Sequence, residues 1–264
     1  ISFMIDRLFK KAQKRMKSLR EIISMEGIIV KEEIVMGNVQ AQLKKQIDAL
    51  KPNVIVMGRN TEKKLSAQSL LKYITRNASA PVLVVPQTHN PKIPNRTVLA
   101  SDMDPNRLVE YAPFFDIIKK VSHELSILNI KSNYFASAKD ALTWIGNLNL
   151  TYGVNAKLLQ ADNQEGLKGI ADLIRSNKID LLCTVKHNNS FFDKFFDRNI
   201  SNQLTNQAEV PVLVIKQHSD DLQVNDVVFA SNFSREDVER FEAFRPFFDL
   251  FDPKIHLVKV NTPK

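Results

Sequence analysis

Two periodicities alternate along the chain. Short apolar runs rich in Val, Ile and Leu read as strands. Longer segments, whose apolar residues return every three or four positions, read as helices. Over the first third the pattern predicts a helix at 3–25, a strand at 28–35, a helix at 39–50, a strand at 54–57, a helix at 65–76 and a strand at 82–85. The polar, proline-bearing stretch from Pro86 to Pro91, with Pro94, reads as a linker. Beyond it come strands at 97–100, 125–130, 156–159, 181–185 and 212–215, separated by helices at 105–121, 136–148, 163–176 and 191–206. A second linker, 216–224, precedes a strand at 226–230, a helix at 235–248 and a strand at 255–260. Strand–helix alternation of this kind predicts an α/β fold in which helices cover a parallel sheet.

The pattern repeats. Ala80-Pro81-Val82-Leu83-Val84-Val85 returns as Val210-Pro211-Val212-Leu213-Val214-Ile215, and Val98-Leu99-Ala100-Ser101-Asp102 returns as Val228-Phe229-Ala230-Ser231-Asn232. Both pairs are offset by about 130 positions, and Val54-Ile55-Val56-Met57 matches Leu181-Leu182-Cys183-Thr184 at a similar offset, a spacing of domain size. The chain therefore reads as tandem units: 1–88, which lacks an opening strand-helix-strand; 95–217, which is complete; and 225–264, which supplies such an opening and then stops. Placed head to tail, the two partial units compose one whole domain. Three explanations stand side by side: lost or rearranged internal residues, a third unit cut short, or a swap in which the tail of one molecule completes the head of another.

Composition narrows the class. Apolar residues make up 44% and charged residues 25%, as in ordinary globular domains, and no apolar run approaches the roughly 18–20 residues that span a bilayer. The chain opens on Ile1 rather than Met and shows no secretory signal, which reads as a fragment or part of a longer chain. The single cysteine, Cys183, lies in an apolar run and reads as a core residue, in keeping with a reducing, cytoplasmic setting. The net charge is +8, and much of it sits in Arg7, Lys10, Lys11, Lys14, Arg15, Lys17 and Arg20. Ile5, Leu8, Phe9, Ala12, Met16, Leu19 and Ile23 form the opposite stripe, so the segment reads as a surface helix with a solvated basic face. No aromatic residue interleaves with these charges and no recognition motif appears. Nucleic acid and membrane are not the expected partners.

Little in the chain organises chemistry. The five histidines are scattered, without metal-ligand spacing, and neither a nucleophile elbow nor an HExxH helix occurs. The reading is no metal, no catalytic residue and no enzyme. Glu32-Glu33 and Asp220-Asp221 read as solvated charge, and Phe114-Phe115, Phe247-Phe248 and Phe191-Phe192 with Phe195-Phe196 as core or interface.

Several pieces together resemble the universal stress protein family, over nearly the whole chain. Val98-Leu99-Ala100-Ser101-Asp102 and Val228-Phe229-Ala230-Ser231-Asn232 are similar to its opening strand and following acidic turn. Pro52-Asn53-Val54-Ile55-Val56-Met57-Gly58 is similar to its penultimate strand, and Ala80-Pro81-Val82-Leu83-Val84-Val85 to its closing strand. Ile179-Asp180-Leu181-Leu182 through Phe191-Phe192-Asp193-Lys194-Phe195-Phe196 looks like the degenerate second unit of tandem members of that family. The resemblance implies tandem Rossmann-like units, each with a five-stranded parallel sheet, and association through the closing strand as a dimer. Pairing of Val82–Val85 with Val212–Ile215 would then make a pseudo-dimer, since apolar edge strands invite partners.

In the nucleotide-binding branch of that family a glycine loop cradles ATP, because glycines let backbone N–H groups approach phosphates. Here Gly58 is followed by Thr61 and Leu71-Lys72 at the later loop positions, and the second unit has Val185, Asn188 and Arg198-Asn199. With only 7 glycines in the chain, the expectation is no cofactor and no phosphate-loop binding of ATP. The favoured function is a non-catalytic stress-response scaffold or interaction module. The alternative is a nucleotide or anion sensor that uses Asp102, Gly58, Arg59 and Asn232, with Lys63, Lys64, Lys186 and His187 as cations replacing glycine amides. Against a ligand role for Asp102 stands the reading that it caps the helix starting near Pro105, with Asp104 beside it.

Overall fold

The computed structural model describes residues 6, 9–10, 12–14, 16–17, 19–21, 29–58, 65–86, 93–129, 138–159, 166–186, 210–216, 223–231 and 235–261. They fall into two compact units, one built from Ile1–Lys92 with Gln223–Lys264, the other from Ile93–Leu222.

In the first unit, the described residues between 6 and 21 are helical. Strand β1 (Val30–Met36), helix α1 (Val39–Leu50), β2 (Val54–Gly58), α2 (Leu65–Asn77) and β3 (Val82–Val85) follow. The remaining pieces come from the far end of the chain: β9 (Asp226–Ala230), α6 (Arg235–Asp249) and β10 (Lys254–Asn261). All five strands pair in parallel in the order β1-β10-β9-β2-β3. The distal strand-helix-strand thus supplies the middle of the sheet, with β9 between β10 and β2.

The second unit holds β4 (Arg96–Ser101), a 3-10 segment (Pro105–Tyr111), α3 (Ala112–Val121), β5 (Glu124–Asn129), α4 (Ala138–Tyr152), β6 (Lys157–Leu159), α5 (Gly166–Ser176), β7 (Leu181–Lys186) and β8 (Val212–Lys216). Its strands are parallel in the order β6-β5-β4-β7-β8. Position by position this matches the first unit, with β4 standing where β9 stands and β8 where β3 stands.

The central strands are apolar at successive residues. Val54, Ile55, Val56 and Met57 are all buried, as are Leu181, Leu182, Cys183 and Val185. A strand buried at consecutive positions has both faces covered, which is why it reads as an unbroken apolar run. Helix α1 shows how local sequence sets the ends. Asn38 accepts a hydrogen bond from the Ala41 amide at 3.1 Å, and Lys51 stops the helix in a left-handed turn just before Pro52. Gly37 has φ +133°, where a side chain would be strained and a Cβ would lie 3.1 Å from Gln42.

One predicted element breaks in two. The helix expected over 105–121 is a 3-10 segment to Tyr111 and an α-helix only from Ala112. Pro113 has no N–H to bond back to residue 109, so the α-helical ladder can begin only around it. The helix expected at 191–206 lies outside the described residues.

Each unit ties its sheet together by the same device. Asn53 Oδ1 accepts from the amides of Asn225 (3.0 Å) and Asp226 (2.8 Å) at the entrance to β9. Asp180 Oδ2 accepts from the amides of Asn95 (3.1 Å) and Arg96 (3.0 Å) at the entrance to β4. One side-chain oxygen ahead of the penultimate strand satisfies two backbone donors that would otherwise lie unpaired.

Candidate functional site

Parallel α/β sheets receive ligands at the carboxyl ends of their strands. In the second unit that position is the turn after β4, where Ser101, Asp102, Met103 and Asp104 lead into the 3-10 segment. Ser101 is buried. Its hydroxyl shares a 2.6 Å hydrogen bond with Tyr111 Oη and accepts from the Met103 amide at 2.8 Å. Met103 sits at φ 55°, an unusual value for a side-chain-bearing residue, so these bonds hold a turn that propensity alone does not favour.

Asp104 is the cap. Its Oδ1 accepts from the Asn106 amide at 3.0 Å, and Pro105 follows as the first residue of the segment. The sequence reading gave that role to Asp102. The structure moves it two residues along, because the segment starts at Pro105 and its cap must directly precede it. Asp102 is instead one of two carboxylates around a single cation. Arg107 Nη1 lies 3.7 Å from Asp102 Oδ2, and Arg107 Nε lies 3.2 Å from Asp104 Oδ2. Asp104 is nearly buried, whereas Asp102 keeps 26% of its side chain exposed.

Aromatic groups close the turn from behind. Trp144, from α4, donates Nε1–H to the Asp104 carbonyl at 3.3 Å and meets Tyr111 edge-on at a centroid distance of 5.8 Å. Tyr152 Oη donates to the Leu108 carbonyl at 2.6 Å, and its ring stacks on Phe115 at 4.2 Å. Burial pushes the Tyr111 hydroxyl well above the ordinary tyrosine range. The Ser101 bond acts in the opposite direction, and the nearby Asp102 and Glu110 charges add to the rise. Burial likewise raises Tyr152.

Gly58 is the last residue of β2, in the first unit, at the carboxyl end of its own sheet. Arg59, Lys63, Lys64, His187 and Asn232 lie outside the described residues, as do Phe191, Phe192, Phe195 and Phe196. Lys186 ends β7. Cys183 is fully buried, and burial drives its thiol upward, the opposite of what a nucleophile needs. Phe114, Phe115, Phe247 and Phe248 are buried. Among the described residues no three His, Cys, Asp or Glu side chains converge as metal ligands would, and no helix is long and apolar enough to cross a membrane.

Sequence reasoning missed Arg107, Tyr111 and Trp144. Asp104 followed by Pro105 was a legible cap signal. The Ser101–Tyr111 and Trp144 contacts join residues with no shared local pattern, and nothing in the linear text marks them.

A universal stress protein from Archaeoglobus fulgidus DSM 4304 superposes with a TM-score of 0.58 at 18% sequence identity, covering 84% of this chain and 81% of that one. Its fold is that of a universal stress protein. A functionally unknown protein from Pseudomonas aeruginosa PAO1 matches with a TM-score of 0.56 at 15% identity, over 78% of each chain. No protein-family profile matches the chain, and no curated protein does.

Proposed function

We propose that this protein is a non-catalytic stress-response scaffold or interaction module, working in the cytoplasm, that does not bind ATP through a phosphate loop. One observation carries the reading: the turn at the carboxyl end of β4 spends its polar groups on itself. Ser101 bonds Tyr111 and Met103, Asp104 caps its own helical segment, and Arg107 lies against both carboxylates. A built nucleotide site presents unpaired donors and acceptors to its ligand. The glycine-poor sequences after Gly58 and Val185 support the same conclusion, since side chains there deny phosphates the close approach that glycine allows. Self-association belongs to this reading, and light scattering at micromolar concentration tests it; a strict monomer would remove it.

The second reading is a sensor of a nucleotide or other anion. Its support is the partial exposure of Asp102 and Arg107 at the strand ends, where such folds place ligands. Thermal unfolding with and without millimolar ATP and magnesium separates the two. A ligand at about 100 times its Kd stabilises by roughly 2.7 kcal/mol, a shift of several degrees. The scaffold reading expects no shift. A clear shift that Asp102→Ala abolishes would replace it with the sensor.

A further inference from the structure

The charge of this protein is distributed very unevenly. Residues 1–92 hold 17 Lys and Arg against 7 Asp and Glu, whereas 93–222 hold 14 against 15 and 223–264 hold 6 against 7. The whole positive excess therefore lies in the first segment. Seven of its basic residues fall within the first 20 positions, opposed there only by Asp6.

The structure shows how part of that charge is displayed. Ala12, Met16 and Leu19 of the N-terminal helix are buried to within 1%. Lys10, Lys14 and Lys17 repeat the same four-then-three spacing, shifted by two residues, and all three are exposed. Two residues turn an α-helix by about 200°, so the lysines form a row on the face opposite the buried one. From Lys10 to Lys17 the row is about 10 Å long at 1.5 Å per residue. Duplex nucleic acid carries one charge per roughly 1.7 Å of axis, so a row of that length spans about three phosphates on each strand. Among the ion pairs of the described residues here are Lys17 with Glu21 at 3.8 Å and Arg20 with Glu32 at 3.5 Å, all four side chains being partly or well exposed. Exposed pairs of this kind are weak and yield to a stronger polyanion.

We propose that this lysine row binds the phosphate backbone of nucleic acid without reading its sequence. The absence of interleaved aromatics and recognition motifs, which argued against a sequence-specific binder, is what a backbone-only contact requires. An anionic membrane is the less suitable polyanion. A helix that seats in a bilayer surface does so with its apolar face, and Ala12, Met16 and Leu19 are already committed to the protein interior.

The test uses the full chain and a fluorescein-labelled 20-base-pair DNA duplex, with anisotropy read from about 50 to 200 mM NaCl. Binding is expected to weaken with a log–log salt slope of about −2 to −3, the value for about three neutralised phosphates. The triple variant Lys10→Gln/Lys14→Gln/Lys17→Gln should lose at least about tenfold in affinity at the lowest salt and most of that slope. Lys119→Gln/Lys139→Gln/Lys157→Gln removes the same charge from exposed positions of the second unit and should change affinity less than about twofold. All six lysines are exposed, and a thermal melt checks that both variants remain folded. No binding by the wild type at the lowest salt, equal losses in the two variants, or tighter binding to phosphatidylserine vesicles than to the duplex would each overturn the proposal.

Discussion

Replacing Ser101 by alanine isolates what holds the opening turn of the second unit. The hydroxyl makes two bonds, to Tyr111 Oη at 2.6 Å and from the Met103 amide at 2.8 Å, and Ser101 and Met103 are both buried. A buried hydrogen bond contributes about 1 kcal/mol net, and a buried donor left unpaired costs about 1–3 kcal/mol. Ser101→Ala removes both bonds and strands the Met103 amide, so the expected loss is about 2–3 kcal/mol. Tyr111→Phe removes only the first bond and leaves Ser101 to serve Met103, so about 1 kcal/mol is expected. The double variant should cost less than the two singles added together by about 1 kcal/mol, because they share one interaction. Trp144 makes the measurement selective. It is the single tryptophan of the chain and packs edge-on against Tyr111, so urea melts followed by its fluorescence report on this unit. For a unit of this size the Ser101→Ala loss corresponds to a fall in Tm of roughly 5–15 °C. A loss below about 0.5 kcal/mol, or Tyr111→Phe costing as much as Ser101→Ala, would refute this account of the turn.

Three further outcomes follow from the geometry. Asp180→Ala should cost about 2 kcal/mol by leaving the Asn95 and Arg96 amides without their acceptor, whereas Asp180→Asn should cost under about 1 kcal/mol because Asn53 does the same work in the first unit; equal losses in the two variants, read by urea melts, would contradict that equivalence. The folded-state pKa of Tyr111 lies above its unfolded value of about 10, so its contribution is complete at neutral pH and is lost as pH rises through and beyond about 10; stability should fall there by up to about 1.4 kcal/mol per pH unit for this group, with Tyr152 adding a smaller part, and Tyr111→Phe should flatten the curve between pH 9.5 and 11. Cys183 should resist a thiol reagent such as DTNB at pH 8 in the native protein and react within seconds in denaturing urea, and rapid native labelling would show that the β7 core opens readily.

Unbroken apolar runs announced strands covered on both faces, and most predicted boundaries for β2, β3, α1 and β9 lie within a residue of those observed. The universal stress protein fold was legible from Val98–Asp102, Pro52–Gly58 and their repeats because those segments combine strand, turn and spacing in a fixed order. The candidate site was legible only as a location. Asp102 directly follows β4, but its pairing with Arg107 was not foreseen, and the capping role belongs to Asp104.

Periodicity reports which face of an element is buried, and repeats report which segments are equivalent; both are local or pairwise properties of the text, and the chain carries them without folding. Which strand lies beside which is different. That β9 sits between β10 and β2, or that Trp144 reaches the Asp104 carbonyl, depends on contacts between residues far apart in the chain, and even the Ser101–Tyr111 bond joins two different elements. Those contacts are selected together, by the demand that every buried donor find an acceptor while the apolar faces close. No residue read alone encodes that choice, so only the tertiary structure makes it.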